Sequence, residues 1–256
     1  MRLILLLVAV LLPFGLLGLA IGKPAGMALS LLVGTGMLIY LASTAERTVV
    51  QSLADVQVAS PGTCHSVNRV TREELGVTTP EVYEVAESAP NALIARFGGG
   101  AGRIILTQGL LASISEEELR VVIRALVLRL RSPLLSRQTF CASLAHRLLQ
   151  WAPEGWTRFV LAGESPSAVD PDRLPPLAFL GFLLIYPWAR FLIWCGNSAE
   201  GGGPPAEFSA DELLLWGNAM RKVGGSSQTA RFTGQPGLLA LYLCPPCPIS
   251  DVLSLV

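Results

Sequence analysis

Residues Ser115–Leu130 read SEEELRVVIRALVLRL. Ser115 followed by Glu118 is a capping-box pattern, in which hydroxyl and carboxylate each satisfy a backbone N–H of the first turn. Leu119, Val122, Ile123, Leu126 and Leu130 recur at helical spacing and form one apolar stripe. Arg120, Arg124 and Arg131 share the opposite, solvent side. Arg129 lies away from those three, beside the apolar face. Pro133 stops the helix, because it lacks an N–H and its ring clashes with the preceding turn. A helix capped and patterned in this way is expected to be the element on which a globular part packs.

The segments around this helix come in a recognisable order. Pro80-Glu81-Val82-Tyr83 is followed by Pro90-Asn91-Ala92, then by Ile104-Ile105-Leu106-Thr107-Gln108-Gly109-Leu110-Leu111, then by Glu117-Glu118-Leu119-Arg120. Further on stands Ala206-Glu207-Phe208-Ser209-Ala210-Asp211. This order resembles that of the HtpX-like membrane zinc metalloproteases, relatives of the CAAX prenyl endopeptidases, and the resemblance covers nearly the whole chain. It implies a mainly α protein with a small β-hairpin or sheet, an α+β gluzincin-like metalloprotease fold. It also implies a membrane anchor, with about three transmembrane helices.

In that family the central helix carries H-E-x-x-H, with two His one turn apart on zinc and the Glu as general base. Laid on this chain, those places hold Ala125, Leu126 and Arg129. A methyl and an isobutyl group can neither ligate zinc nor move a proton, and a guanidinium is a fixed cation with no lone pair to offer. The resemblance puts Glu207 at the third-ligand place and Asp211 at the place of its supporting acid, with Ala206 replacing the usual Arg. Cys247-Pro248 occupies the family's His-Pro place. The chain thus resembles a protease whose catalytic centre has been erased, and neither zinc nor another cofactor is expected.

Composition supports a membrane protein with a modest globular part. Of the 256 residues, 51% are hydrophobic and 15% charged. The formal net charge is zero, which gives no footprint for nucleic acid. The five Cys are odd in number and scattered, a poor disulfide framework that fits a reducing compartment for the globular part.

Taken in order, residues 1–45 read as a transmembrane hairpin. Leu3 to Gly22 is uncharged, and a second apolar run, Ala25 to Ala45, follows a Lys23-Pro24 turn. Two spans so close together favour retention over a cleaved signal peptide. Charge bias does not orient them; the resemblance implies an integral protein of the bacterial inner membrane with its globular domain on the cytoplasmic side. Residues 46–132 read as the first half of the protease-like domain. In it, Gln51–Val70 is expected to be helical, and Val82–Glu87 and Arg103–Thr107 to be strands joined by a Gly98-Gly99-Gly100 turn. The glycine run lacks the Lys-Ser/Thr ending of a phosphate loop. Residues 133–152 read as an amphipathic helix on a membrane or partner. Its polar stripe of Thr139, Ser143, His146 and Gln150 faces solvent or that partner. Residues 153–176 read as a loop, and 177–197 as a third transmembrane helix kinked at Pro187, with Arg190 either reaching to the interface or pairing with a carboxylate on another chain. Residues 198–256 complete the protease-like domain. There Ser209–Val223 is expected to be helical, with Leu213, Leu214, Trp216 and Met220 on its apolar side.

These readings favour a catalytically inactive pseudo-protease that binds other proteins, as a structural or assembly subunit of a membrane complex. Its partners are then the bilayer and other membrane proteins. The resemblance places a substrate cleft along Asn91, Ala92, Ile104, Ile105 and Leu106, where an extended peptide is expected to add as a strand. At the erased centre, Arg129 is expected either to pair with Glu207, because each would otherwise be a buried lone charge, or to reach solvent past the helix end. The alternative is an active membrane zinc endopeptidase for membrane-protein quality control. It would need unconventional ligands from His65, His146, Cys244, Cys247 and Glu207, none of which has the i,i+4 spacing of a helical pair. A redox protein using the Cys244-x-x-Cys247 pair is a third reading.

Overall fold

The computed structural model describes residues 2–150, 187–196, 204–227, 238 and 241–243. The chain divides into two compact units, Met1–Ala45 and Glu46–Val256. In the first, α1 (Arg2–Ser43) is two helical arms merged across a bend at Gly22 and Lys23, where Lys23 takes φ 55° and ψ −150°. Small residues let the arms touch. A Cβ at Gly18 would come within 2.4 Å of the Gly26 carbonyl oxygen, and the Ser30 hydroxyl donates to the Phe14 carbonyl at 2.7 Å. The outer surface is apolar: Leu29, Leu32 and Ile39 are all more than half exposed. By length and composition, Leu6–Ser43 can cross a membrane.

The second unit is built on a four-stranded mixed sheet in the order β1-β2-β4-β3. Its strands are β1 (Val56–Val58), β2 (Glu81–Val85), β3 (Ala92–Ala95) and β4 (Arg103–Thr107). β2 and β4 run parallel, with Glu81 opposite Arg103 and their side chains paired at 2.7 Å. β1 on β2 and β3 on β4 are antiparallel. The Gly98–Gly100 turn therefore closes a hairpin of β3 and β4, not of β2 and β4. β3 escapes a pattern search because all four of its residues are buried, so it shows no polar alternation.

The expected long helix over Gln51–Val70 is broken. α2 (Ala45–Gln51) ends before β1, and Asp55 turns the chain with φ 53°. α3 (Pro61–Asn68) then restarts under a Ser60 cap, with Pro61 in the first turn, where its missing N–H costs nothing. A π-helical turn, Arg69–Glu74, follows.

α4 (Gln108–Ser113) and α5 (Glu116–Leu130) come next, and the capping box of Ser115 and Glu118 is formed. The apolar contribution of α5 is wider than one stripe. Val121, Val122, Ile123, Ala125, Leu126, Val127 and Leu130 are all buried, so the helix is enclosed by the sheet and other helices. α7 (Ala210–Ser227) packs on it. The buried stripe of α7 is Trp216, Ala219 and Val223, preceded by Phe208, which meets the Trp216 ring edge-on. Leu213 and Leu214 are exposed, contrary to the expected apolar side. At about 100° per residue, Leu214 falls opposite the stripe of Trp216, Ala219 and Val223, and Leu213 falls at its border.

α6 (Pro133–Leu149) differs most from expectation. Thr139, Ser143 and His146 are buried, so its polar stripe faces the interior rather than a membrane surface. The stripe is accommodated by local hydrogen bonds. Arg96 N donates to the Thr139 hydroxyl at 3.1 Å, Ser143 donates to the Phe140 carbonyl, and His146 meets the Gln150 amide at 2.9 Å. Burial, then the neighbouring Arg147 charge, lowers the His146 pKa and favours the neutral ring. Of the expected third span, only 187–196 falls within the described residues, and it is helical.

Glu118 joins three parts of this unit. Its carboxylate accepts from Lys222 of α7 at 2.7 Å and from Ser115 N at 2.8 Å. Lys222, then the Ser115 N–H, outweigh burial and hold the Glu118 carboxyl below its ordinary range. The unfolded state thus takes up its proton at a higher pH than the folded state does. The contribution is complete above the ordinary Glu value, about 4.3, and is lost as pH falls through the folded value. Glu118→Ala is expected to cost about 2–3 kcal/mol at pH 7, from a lost cap and a charge-assisted bond to a half-exposed Lys. Denaturation at pH 7 and pH 3 checks this: the difference between variant and parent should shrink at pH 3.

Candidate functional site

Ala125, Leu126 and Arg129, the three positions singled out by the resemblance, lie on α5. Ala125 and Leu126 are buried at 5% and 1% exposure and belong to the continuous core. Arg129, one turn beyond Ala125, directs its guanidinium to the tail: Nη1 donates to the Tyr242 carbonyl at 3.2 Å. Burial lowers its pKa to about 10, so it remains a cation at neutral pH.

The structure does not bring Arg129 and Glu207 together as an ion pair. Glu207 and Asp211 are both exposed, Glu207 in the turn just before α7. The pairing between α5 and this segment runs through other residues. Arg124 binds Glu212, and its guanidinium lies 5.9 Å from the Phe208 ring centroid. Arg124 is therefore part of the α5–α7 contact rather than of a solvent stripe, whereas Arg120 is surface-exposed and pairs with Glu74 at 2.7 Å. Glu212 was legible in the sequence: Ser209 and Glu212 form a second capping box, with Ser209 N donating to the carboxylate at 2.9 Å and Glu212 N donating to the Ser209 hydroxyl at 3.3 Å. Lys222 gave no sequence signal beyond being one of two Lys.

The five residues expected along a cleft, Asn91, Ala92, Ile104, Ile105 and Leu106, are all buried. Ile104–Leu106 belong to β4, an interior strand flanked by β2 and β3, so no peptide can add there. Asn91 is structural. Its N–H donates to the Thr107 hydroxyl at 2.8 Å, that hydroxyl donates back to the Asn91 carbonyl at 2.9 Å, and the Asn91 side chain accepts from Ala92 N at 2.9 Å. Thr107 also caps α4. The sheet edge on this side is β3, and it is already paired. Leu93 bridges Tyr242 in antiparallel sense, and Leu243 N donates to the Ala92 carbonyl at 2.7 Å. Tyr242 was missed because its short apolar run carries no strand alternation long enough to be read.

His146 is buried in α6 and His65 is exposed on α3. Among the described residues, no group of three or more His, Cys, Asp or Glu could hold a metal. Cys244 and Cys247 lie outside the described residues. Zinc does not fit the α5 face: two apolar side chains offer no donor atom, and the third is a cation.

The second unit is a capped central helix on a small mixed sheet, and the first unit is a membrane-helix candidate. Comparison with known proteins points to one family. The chain is 25% identical over 244 residues to a protease HtpX homolog of Gemmatimonas aurantiaca, covering 90% of this chain and 82% of the relative. It is 26% identical over 231 residues to a protease HtpX homolog of Methylibium petroleiphilum, covering 87% and 78%. A protease HtpX homolog of Campylobacter curvus is 27% identical over 120 residues, 46% of this chain and 42% of that one. The chain is HtpX-like. No family model matches it, and no solved structure does.

Proposed function

We propose that this chain is a membrane-anchored HtpX-like pseudo-protease, a metal-free domain that serves as a protein-binding, structural or assembly subunit of a membrane complex. What supports the reading is the sequence of α5, in which Ala125, Leu126 and Arg129 fall where the resemblance puts H-E-x-x-H. The burial of Leu126 supports it further, since that position now contributes to the core. An HtpX-like relative that had kept its chemistry would need a water-activating base and two neutral nitrogen donors on this helix. The hairpin would hold the domain at the inner membrane, and the exposed Leu213 and Leu214 on α7 would suit a permanent neighbour.

The test is proteolysis by the full chain, purified in mild detergent. Casein and an unfolded membrane protein are expected to stay intact at enzyme-like ratios, with or without added zinc. A gentle pull-down from native membranes is expected to return a stoichiometric membrane-protein partner. Chelator-sensitive cleavage of either substrate contradicts the proposal.

A further inference from the structure

Three contacts converge on the tail beside α5. Leu243 N donates to the Ala92 carbonyl at 2.7 Å, Leu93 faces Tyr242, and Arg129 donates to the Tyr242 carbonyl at 3.2 Å. We infer that residues 241–243 occupy the open edge of β3 as a built-in ligand, clamped by Arg129, so that this edge accepts no foreign strand until the tail is released. This goes beyond the proposed function, and it holds whether or not the chain cleaves peptides.

The geometry makes the occupancy exclusive. A peptide adding to β3 would need the Ala92 carbonyl as an acceptor and the space beside Leu93. Leu243 holds the first and Tyr242 the second. Backbone bonds are not the whole of the attachment. Leu241, Tyr242 and Leu243 are 0%, 4% and 5% exposed, so the segment is also held by burial in the core. Arg129 adds the directional element. A guanidinium donates to a carbonyl in a fixed plane but cannot activate water, so it retains a peptide group without hydrolysing it. The cation at a former ligand place is then a positioning residue for the tail, and this is also why it need not meet Glu207. Any partner peptide using this edge must compete with an intramolecular segment, which has the advantage of high effective concentration.

The first experiment uses the full chain with Leu93→Cys and Tyr242→Cys, in a background of Cys244→Ser and Cys247→Ser. The Leu243–Ala92 bond flanks Leu93 and Tyr242, so these two form a non-hydrogen-bonded antiparallel pair. Such pairs have a Cα separation of about 4.5 Å, within disulfide range. Mild oxidation is expected to link the two cysteines within one molecule, read as a joined peptide pair by mass spectrometry. Free thiols, or linkage only between molecules, overturn the inference. The second experiment keeps the core intact and measures hydrogen exchange at residues 241–243. Protection is expected in the unsubstituted protein, with exchange about tenfold faster in Arg129→Gln, the effect of losing one charge-assisted hydrogen bond. The β4 amides should be unchanged. Unprotected tail amides in the unsubstituted protein, or tail exchange that ignores Arg129→Gln, also overturn it.

Discussion

Leu126→Glu is expected to destabilise the second unit, Glu46–Val256, by about 4 kcal/mol or more, a cost set by burial of an unpaired carboxylate on top of lost apolar burial. On the proposed reading, the substitution puts a carboxylate where the resemblance places the family's general base. Leu126 is 1% exposed and belongs to the buried hydrophobic core. Among the described residues no metal cluster is at hand to hold a carboxylate there. A new Glu would be driven toward its neutral form, with its pKa raised by desolvation. Leu126→Met, similar in volume, is expected to cost less than about 1.5 kcal/mol. Denaturant unfolding of the full chain in detergent, followed by Trp fluorescence, measures both. A tolerated Glu that also confers zinc binding would mean that the α5 face has kept the shape of a site.

Gly109→Ala is expected to cost about 3 kcal/mol, at the upper end for overpacking, because the obstruction is backbone. A Cβ at Gly109 would lie 2.0 Å from the Ser88 carbonyl oxygen and 2.5 Å from its carbon. Gly109 N donates to the Glu87 carbonyl at 2.9 Å, which ties the two chain segments together at this crossing. Relief would require moving either α4 or the link between β2 and β3, and both are anchored by Asn91 and Thr107. Gly99→Ala is a fitting control, since a Cβ there meets nothing within 4 Å. It is expected to change stability by less than about 0.5 kcal/mol. The same unfolding measurement applies, and equal effects from the two substitutions would remove the close-approach argument.

The sequence was most informative where a side chain acts locally. The Ser115–Glu118 capping box, the Lys23-Pro24 bend and the β4 boundaries could all be read from neighbouring residues, because caps, turns and short apolar runs depend on few long-range contacts. It was least informative where burial decides orientation. The polar stripe of α6 has a surface-like pattern, yet Thr139, Ser143 and His146 are buried because backbone and neighbouring polar groups meet them. β3 is covered on both faces, so its sequence does not alternate. At the candidate site, the identity of Ala125, Leu126 and Arg129 could be read directly, but the partner of Arg129 could not. Charge complementarity pointed to Glu207, whereas the guanidinium meets a backbone carbonyl, which has no sequence signature at all.

On the proposed reading, the α5 face of this HtpX-like chain carries no metal. Zinc content of the full chain, purified from membranes without chelator and measured by elemental analysis against protein mass, tests it directly. A small fraction of an equivalent is expected, with no rise after incubation with zinc and desalting. Zinc near one equivalent per chain, removed together with activity by a chelator, would contradict it.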